Sequence, residues 1–152
     1  MTVESQSLPG EGPFLSAAFL CEKVLQEVDG VKSAIRIVDR VTRTIQGQEL
    51  PPEMPPFDWP GALFLRWKSG WARGTIPIRV VLVKPNLDSQ ELLNQPALFE
   101  GEEDRGVDWI LNMRLQLEQV GIYWFDIYLE DHRVTRVPLR VIYQPQRVPS
   151  AI

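Results

Sequence analysis

The chain has 152 residues, a formal net charge of −4 and a single cysteine, Cys21. This length suits one domain with a sizeable core. The acidic charge argues against duplex nucleic acid as a partner and against a polybasic membrane anchor, because both need a clustered excess of Lys and Arg. One cysteine permits no intrachain disulfide, which fits a reducing compartment. The polar residues 1–13 lack the apolar run of a signal peptide, and no stretch approaches the ~20 apolar residues of a membrane helix. We therefore expect a cytoplasmic protein that does not insert into a membrane.

The N-terminal part of the sequence predicts an arm followed by a hairpin. Residues 1–13 contain Ser, Pro and Gly and are expected to be flexible. Residues 14–21 form an apolar run typical of a buried strand. Residues 22–28 fit either one helical turn or a strand, but the Asp-Gly pair at 29–30 is a strong hairpin-turn signal, and a hairpin needs a strand on both sides. We therefore predict a strand before this turn and a returning strand over residues 31–44.

The returning strand carries one residue that does not fit its pattern. Ile35, Ile37 and Val41 alternate with other residues and are predicted to face the core. Asp39 shares that face, so we expect a bulge or the end of the sheet beside it.

The middle of the chain predicts a crossover and a second hairpin. Residues 46–60 are proline-dense and are expected to run extended, as a stiff connection rather than as a ligand for an aromatic groove. Residues 61–68 and 75–84 have the pattern of two strands, joined by residues 69–74, which expose Trp71 between glycines. Four residues of the second strand are predicted to face the core: Ile76, Ile78, Val80 and Leu82.

Residues 85–106 show the least regular pattern in the chain. Ser89 is predicted to cap a short helix over residues 90–95 that a proline ends. An acidic run follows at residues 100–104. Residues 107–118 alternate again and predict a strand whose inward side chains are Leu111, Met113, Leu115 and Leu117.

Residues 121–143 give the clearest pattern, which is that of two strands joined by a tight connection. Apolar side chains alternate along both strands, so their pairing must keep parity for both apolar sets to face one core. The register that does this leaves residues 131–133 as the connection. It pairs Ile127 with Val137, Phe125 with Leu139 and Tyr123 with Val141, and on the outer face it sets Trp124 beside Arg140, Tyr128 beside Arg136 and Asp126 beside Pro138.

Residues 115–125 resemble the tyrosine-corner segment of immunoglobulin-like sandwiches. In that segment a tyrosine near the start of a strand bonds back to upstream backbone, and a glycine permits the turn before it. Tyr123 and Gly121 occupy these places, and Phe125 stands where a true immunoglobulin domain has its second cysteine. The alternative is a buried tyrosine of the kind found in any antiparallel sheet.

Together these elements predict one domain over residues 14–143, followed by a polar tail over residues 144–152. The predicted fold class is all-β: a two-sheet antiparallel β-sandwich of immunoglobulin-like architecture with at most one short helix. Three segments, residues 19–39, 76–85 and 121–143, resemble a bacterial family of small β-sandwich proteins known as a domain of unknown function. This resemblance implies the sandwich fold and a bacterial source, and it brings no catalytic residue.

Residue types that build common catalytic and metal sites are scarce in this chain. His132 is the only histidine and falls in a hairpin connection, where an exposed turn residue is favoured over a catalytic base. Cys21 at a strand end is favoured as a small buried apolar residue over a nucleophile. The acidic residues between 100 and 108 lack the ligand spacing of a calcium loop, so a solvated loop is favoured. We therefore predict no enzyme activity, no metal site and no cofactor.

An aromatic and basic set remains, and it suits a binding surface because Trp, Tyr and Arg dominate interface hot spots. We predict a non-enzymatic module that binds another protein or assembles with itself, either at a sheet edge or on this surface. The alternative is a sandwich that stacks a small ligand, a sugar or a nucleotide, on Trp71 and Trp124. An enzyme with a site around the acidic run is the least favoured reading. The candidate surface comprises Trp71, Arg73, Trp124, Tyr128, Arg136 and Arg140, and the wider set adds Trp67 and Lys68.

Overall fold

A computed structural model describes residues 12–148, which form nine β-strands and no helix. The all-β prediction is therefore confirmed. These residues contain no helix that is long and apolar enough to cross a membrane. The predicted flexible arm lies almost wholly outside the described residues, as does the end of the predicted tail. In chain order the strands are β1 (Phe14–Gln26), β2 (Lys32–Val38), β3 (Arg40–Gly47), β4 (Phe57–Lys68), β5 (Arg73–Val83), β6 (Ser89–Glu100), β7 (Gly106–Leu117), β8 (Gly121–Leu129) and β9 (His132–Arg147).

The strands form two sheets that enclose one core. Sheet A has four strands in the order β2-β1-β4-β7, and sheet B has five in the order β3-β9-β8-β5-β6. Neighbouring strands are antiparallel, except that β3 and β9 run parallel. Both sheets contribute fully buried side chains to this core, including Leu20, Leu63, Leu65 and Trp67 from sheet A and Ile78, Val80, Phe125, Ile127 and Leu139 from sheet B.

The predicted first hairpin is present, but it does not lie flat in sheet A. β1 pairs with β4 over residues 14–21 and with β2 over residues 20–26. Lys32 of β2 nevertheless reaches Asp108 of β7, with Nζ 3.0 Å from Oδ2. A straight β1 would carry Lys32 about 30 Å away from that end of the sheet. The strand therefore bends, and the β1–β2 hairpin folds over the outer face of sheet A.

This fold-over overturns one prediction for β2 and explains another. Ile35 and Ile37 were expected in the core but are 40% and 63% exposed, because the side of the hairpin that faces sheet A carries Lys32 and Ala34 instead. Asp39 separates β2 in sheet A from β3 in sheet B, so the expected end of the sheet at this residue is confirmed.

The predicted second hairpin is wrong, because β4 and β5 belong to different sheets. β4 is a central strand between β1 and β7, and residues 61–65 are buried on both of its faces. Both of its backbone edges are therefore taken, and residues 69–72 carry the chain across to sheet B. The predicted inward residues of β5 are confirmed, with Ile78, Val80 and Leu82 at most 2% exposed.

The predicted helix over residues 90–95 is also wrong, since this segment lies within β6. β6 pairs along its length with β5 and places Ala97 and Phe99 in the core, each at most 2% exposed. Pairing and burial together outweigh a weak local helix preference. Pro96 is tolerated because β6 is an edge strand within the described residues.

The final hairpin has the predicted parity but a different register. Tyr123 lies opposite Leu139 and Phe125 opposite Val137, two residues from the predicted pairing. The turn is shorter than predicted, with Leu129 opposite His132. That turn alone would put the two apolar sets on opposite faces, but a bulge at Val134 adds one residue to β9 and restores the parity.

The tyrosine corner is confirmed. The hydroxyl oxygen of Tyr123 accepts hydrogen bonds from the backbone N–H groups of Glu118 (3.2 Å) and Gln119 (3.1 Å). Gly121 has a φ of 126°, a conformation that side chains with a Cβ rarely adopt. The corner ties the end of β7 to the start of β8, and so links the two sheets.

β9 continues beyond Tyr143, where the domain was predicted to end. Residues 144–147 pair with the end of β3 and remain part of sheet B. The Tyr143 hydroxyl donates a hydrogen bond to the carbonyl oxygen of Pro51 in the proline-rich crossover (2.8 Å). The crossover is shorter than the predicted residues 46–60, because β3 ends at Gly47 and β4 begins at Phe57. Residues 48–56 contain no strand and bury Met54.

Candidate interaction surfaces

The outer face of sheet B carries most of the predicted surface residues. Trp124, Asp126 and Tyr128 alternate on β8 with the core residues Phe125 and Ile127, so they point away from the core. On β9 the corresponding outward residues are Arg136, Pro138 and Arg140, which alternate with Val137 and Leu139.

Both aromatic rings of this face are in contact with an arginine. The guanidinium carbon of Arg136 lies 4.5 Å from the ring centroid of Trp124, and that of Arg79 lies 4.4 Å from the ring centroid of Tyr128. The predicted pairings with Arg140 and Arg136 are wrong, because the true register is shifted by two residues. Aromatic–cation pairs were expected here and are found. In each pair the guanidinium covers a ring face on which a ligand would have to stack.

A buried carboxylate holds two of the arginines in place. Asp126 is 4% exposed. Its Oδ1 lies 2.7 Å from Nε of Arg136, and its Oδ2 lies 3.6 Å from a terminal guanidinium nitrogen of Arg133. Asp126 thus fixes the guanidinium that covers Trp124, so this part of the face is ordered before any partner arrives.

Two further arginines lie side by side on the same face. Arg40 and Arg140 are directly opposite each other in the parallel β3–β9 pair, and both are exposed. Their chain neighbours Val41 and Leu139 point towards the core, so both guanidinium groups project outwards. Among residues 12–148, no carboxylate oxygen lies within 4.0 Å of either guanidinium. Like charges placed directly opposite each other destabilise a sheet.

Together these side chains form a basic surface on an acidic chain. We call it the arginine face. The buried Asp126 forms its ion pairs, and Glu130 and Asp131 line a cavity with Arg79 at the hairpin end of the face. Its members are Arg40, Arg79, Arg133, Arg136 and Arg140, with the aromatic rings of Trp124 and Tyr128 between them.

Trp71 and Arg73 lie elsewhere, so the six predicted residues do not form one surface. Trp71 is 56% exposed in the connection between the sheets, and its indole N–H donates a 2.9 Å hydrogen bond to Glu103. Arg73 begins β5, whereas Trp124 lies opposite Val83 at the far end of that strand. The span from residue 73 to residue 83 of an extended strand is about 33 Å. Trp67, from the wider predicted set, is fully buried in the core.

The outer face of sheet A carries a polar cluster that the sequence reasoning missed. Arg66 makes a bidentate pair with Asp108, with Nε 2.8 Å and Nη2 2.9 Å from its two carboxylate oxygens. Lys32 adds a third contact at 3.0 Å. These hydrogen bonds, led by that of Arg66, lower the pKa of Asp108 to about 2. An arginine within the otherwise apolar run of β4 was the signal, because a part-buried cation needs an acidic partner.

An aromatic pair lies beside this cluster, beneath the β1–β2 hairpin. The rings of Phe19 and Phe64 stack with their centroids 5.1 Å apart. A cavity of about 190 Å³ separates them from the hairpin residues Val24 and Ala34. Cys21, Ala62 and Phe64 are buried but lie outside the core between the sheets. The protein's own hairpin therefore covers the part of the outer face of sheet A around Phe19 and Phe64.

β6 and β7 leave one backbone edge of each sheet unpaired within the described residues. Two open cavities, of about 230 and 390 Å³, lie along these strands, and Trp109 lines both. β6 and β7 are two of the four edge strands within the described residues, together with β2 and β3, at which an added strand would find free backbone groups.

The comparison with protein families decides the classification of the chain. A model described as a family of unknown function, DUF6941, matches residues 16–142. The chain belongs to this family. The predicted resemblance to a domain of unknown function is thus confirmed. A search of curated proteins found no match.

The DUF6941 match runs from β1 into β9 and therefore includes the arginine face, Trp71 and the part of sheet A that the β1–β2 hairpin covers. The two residues considered for catalysis in the sequence lie in different sheets of this DUF6941 chain. His132 is exposed at the start of β9, and Cys21 is fully buried, which raises the pKa of its thiol. Among the described residues, no group of three or more His, Cys, Asp or Glu side chains could hold a metal ion.

Proposed function

We propose that this DUF6941 chain is a non-enzymatic interaction module that binds another protein through the arginine face of sheet B. The single observation that carries the proposal is the gathering of five arginines around two aromatic rings on one face of a chain whose net charge is −4. Arg, Trp and Tyr are the residue types that contribute most to interface hot spots.

The construction of this face also supports binding. Asp126 is buried and holds Arg136 over Trp124. Ordering a long side chain in advance lowers the conformational entropy that an interface must remove. A sheet surface adds a rigid base, so a partner meets a preformed pattern of guanidinium groups.

Site-specific photo-crosslinking in cells that carry the natural gene tests the proposal. A photoreactive residue in place of Thr42, exposed on β3 beside Arg40, should give a discrete protein adduct. The same residue in place of Gln116, exposed on β7, is the matched control and should not give that adduct. The Arg40→Gln/Arg140→Gln variant should lose it. No adduct from position 42, or the same adduct from both positions, would contradict the proposal.

A small-ligand function is the second candidate, and the exposure of Trp71 favours it. This indole is 56% exposed, but its N–H is already bonded to Glu103, and the ring of Trp124 is covered by Arg136. Tryptophan fluorescence should therefore stay unchanged on titration with sugars and nucleotides. A saturable change that Trp71→Phe removes would favour the ligand function instead.

Three finer assignments belong to the same proposal. The tyrosine corner supports an immunoglobulin-like architecture for the two sheets. The resemblance described above supports a bacterial source, and the single cysteine supports a cytoplasmic location. An enzyme built on the acidic run is disfavoured, because Glu102 pairs with Arg105 and Glu103 bonds to Trp71.

A further inference from the structure

Two neighbouring cations on sheet A share a carboxylate, whereas one neighbouring pair on sheet B has none within ion-pair distance among the described residues. On sheet A, Arg66 and Lys32 share the carboxylate of Asp108. On sheet B, Arg40 and Arg140 are direct neighbours, and no carboxylate among residues 12–148 lies within 4.0 Å of them. We infer that this pair binds the carboxylates of an acidic, extended segment of a partner protein. The inference rests on the proposed function and names the chemistry of its partner.

Charge complementarity identifies the occupant as an anion. Two exposed guanidinium groups on adjacent strands, whose backbones are ~4.8 Å apart, can both reach one carboxylate. The planar donor fork of arginine matches a carboxylate in a bidentate manner, whereas lysine provides only a point charge. The Arg66–Asp108 pair shows the same bidentate geometry inside this molecule.

The rest of the face favours a polypeptide over a nucleic acid. A single-stranded nucleic acid would bind by stacking its bases on aromatic rings. Here Arg136 and Arg79 already occupy faces of the Trp124 and Tyr128 rings. The net charge of −4 also repels a long polyanion but permits a short acidic segment to pair locally.

The geometry of β9 indicates how the segment lies. Arg140 and Arg136 are on the same side of the strand, with Pro138 between them. They are separated by about 13 Å along an extended strand. Side chains of an extended segment also repeat on one side at every second residue. Acidic residues at positions i and i+4 would therefore reach Arg140 and the terminal nitrogens of Arg136, whose Nε already bonds to Asp126.

Fluorescence anisotropy on the full chain tests the inference. The probe is a labelled peptide of about 12 residues with Glu at alternate positions, long enough to span both arginines. We expect saturable binding that weakens with salt, and a matched peptide with Gln in place of Glu should not bind. The Arg40→Gln/Arg140→Gln variant should bind the Glu peptide about five- to tenfold more weakly. The control Lys23→Gln/Arg114→Gln, which removes two exposed cations outside this face, should change binding less than about twofold.

Several results would overturn the inference. Equal affinities of the two double variants would show general charge attraction rather than a site. Tighter binding of a thymidine oligonucleotide of similar charge would assign the face to nucleic acid. Self-association that only the Arg40→Gln/Arg140→Gln variant abolishes would assign it to a second copy of this chain. If the Glu peptide fails to bind while the crosslink from position 42 persists, the chemistry named here is wrong and the proposed function stands.

Discussion

The outer face of each sheet has one carboxylate paired with two cations, but the two carboxylates connect different parts of the fold. On sheet A, Asp108 joins β7, β4 and the β1–β2 hairpin through Arg66 and Lys32. On sheet B, Asp126 joins only the neighbouring strand β9 through Arg136 and Arg133, and no segment of residues 12–148 folds over it in the same way.

This difference indicates that the side chains around Asp108 stabilise the fold, whereas those of the arginine face are, as we propose, exposed for binding. A carboxylate that ties distant segments together contributes to stability, and so does an aromatic pair sealed beneath a hairpin. Exposed like charges that lie directly opposite each other, such as Arg40 and Arg140, are instead expected to destabilise the sheet slightly. The predictions below test this division, beginning with the largest expected effect.

The largest effect is expected at the aromatic pair of sheet A. Phe64 is 6% exposed and stacked on Phe19. The substitution Phe64→Ala should lower the free energy of unfolding by about 3–4 kcal/mol, because it removes a buried ring and leaves a cavity. Urea unfolding followed by circular dichroism measures the loss.

The matched substitution on sheet B is Trp124→Ala. Trp124 is only half-buried and covered by an exposed arginine. Its loss should cost about 1–2 kcal/mol despite the larger ring. A cost equal to that of Phe64→Ala would show that the arginine face is part of the folding core. It would contradict the division between a stabilising face and a binding face.

The next effect concerns the carboxylate of sheet A and depends on pH. The pKa of Asp108 falls from 3.8 to about 2 in the folded chain. A depressed carboxyl pKa adds stability above the unfolded pKa, and this stability is lost as the pH falls through the folded pKa. Asp108→Asn should therefore cost about 2 kcal/mol at neutral pH.

The pH profile gives the control for this prediction. The difference in unfolding free energy between the parent chain and Asp108→Asn should be constant above about pH 5 and should shrink towards pH 2. A difference that does not change between these pH values would show that the substitution acts by packing, and not through the charge of Asp108.

A smaller effect is expected from loosening the hairpin over sheet A. Lys32→Ala removes a partly buried contact to Asp108, worth about 0.5–1 kcal/mol, so the hairpin should open about two- to fivefold more often. Cys21 is fully buried under native conditions and should react with a thiol reagent faster by that factor. Lys23→Ala, on the exposed side of β1, should leave the rate unchanged. A rate unaffected by Lys32→Ala would mean that the contact does not seal this face.

Local patterns in the sequence predicted the strands better than their sheet membership. The alternation of β5, β7 and β8 and the tyrosine corner depend on neighbouring residues, and these were predicted correctly. Nothing local distinguishes a hairpin from a crossing between sheets, so the β4–β5 connection was predicted wrongly. In β6, long-range pairing with β5 decided the structure against a local helix signal.

The candidate surface was predicted only in part, because sequence patterns are local whereas strand pairing joins distant segments. Trp124, Tyr128, Arg136 and Arg140 were placed on one face because alternation is a local property. Arg40 could not be added, since its parallel pairing with Arg140 joins segments that are distant in sequence. The shorter turn and the bulge at Val134 together shifted the β8–β9 register by two residues, so Trp124 lies opposite Pro138 instead of Arg140. The arginine over Tyr128 comes from the neighbouring strand β5.

The smallest expected effect on stability is that of the pair Arg40 and Arg140, and it best tests whether these side chains serve binding or folding. Replacing both arginines of the pair, Arg40→Gln/Arg140→Gln, should change the free energy of unfolding by no more than about 0.5 kcal/mol, and in the stabilising direction, because it removes a like-charge contact between adjacent strands. The gain should shrink in high salt, which screens exposed charges. Urea unfolding at low and high ionic strength measures both.

If the variant were instead destabilised by more than about 1 kcal/mol, the two arginines would be part of the scaffold. Any loss of binding in that variant would then reflect a disturbed sheet rather than a missing anion site.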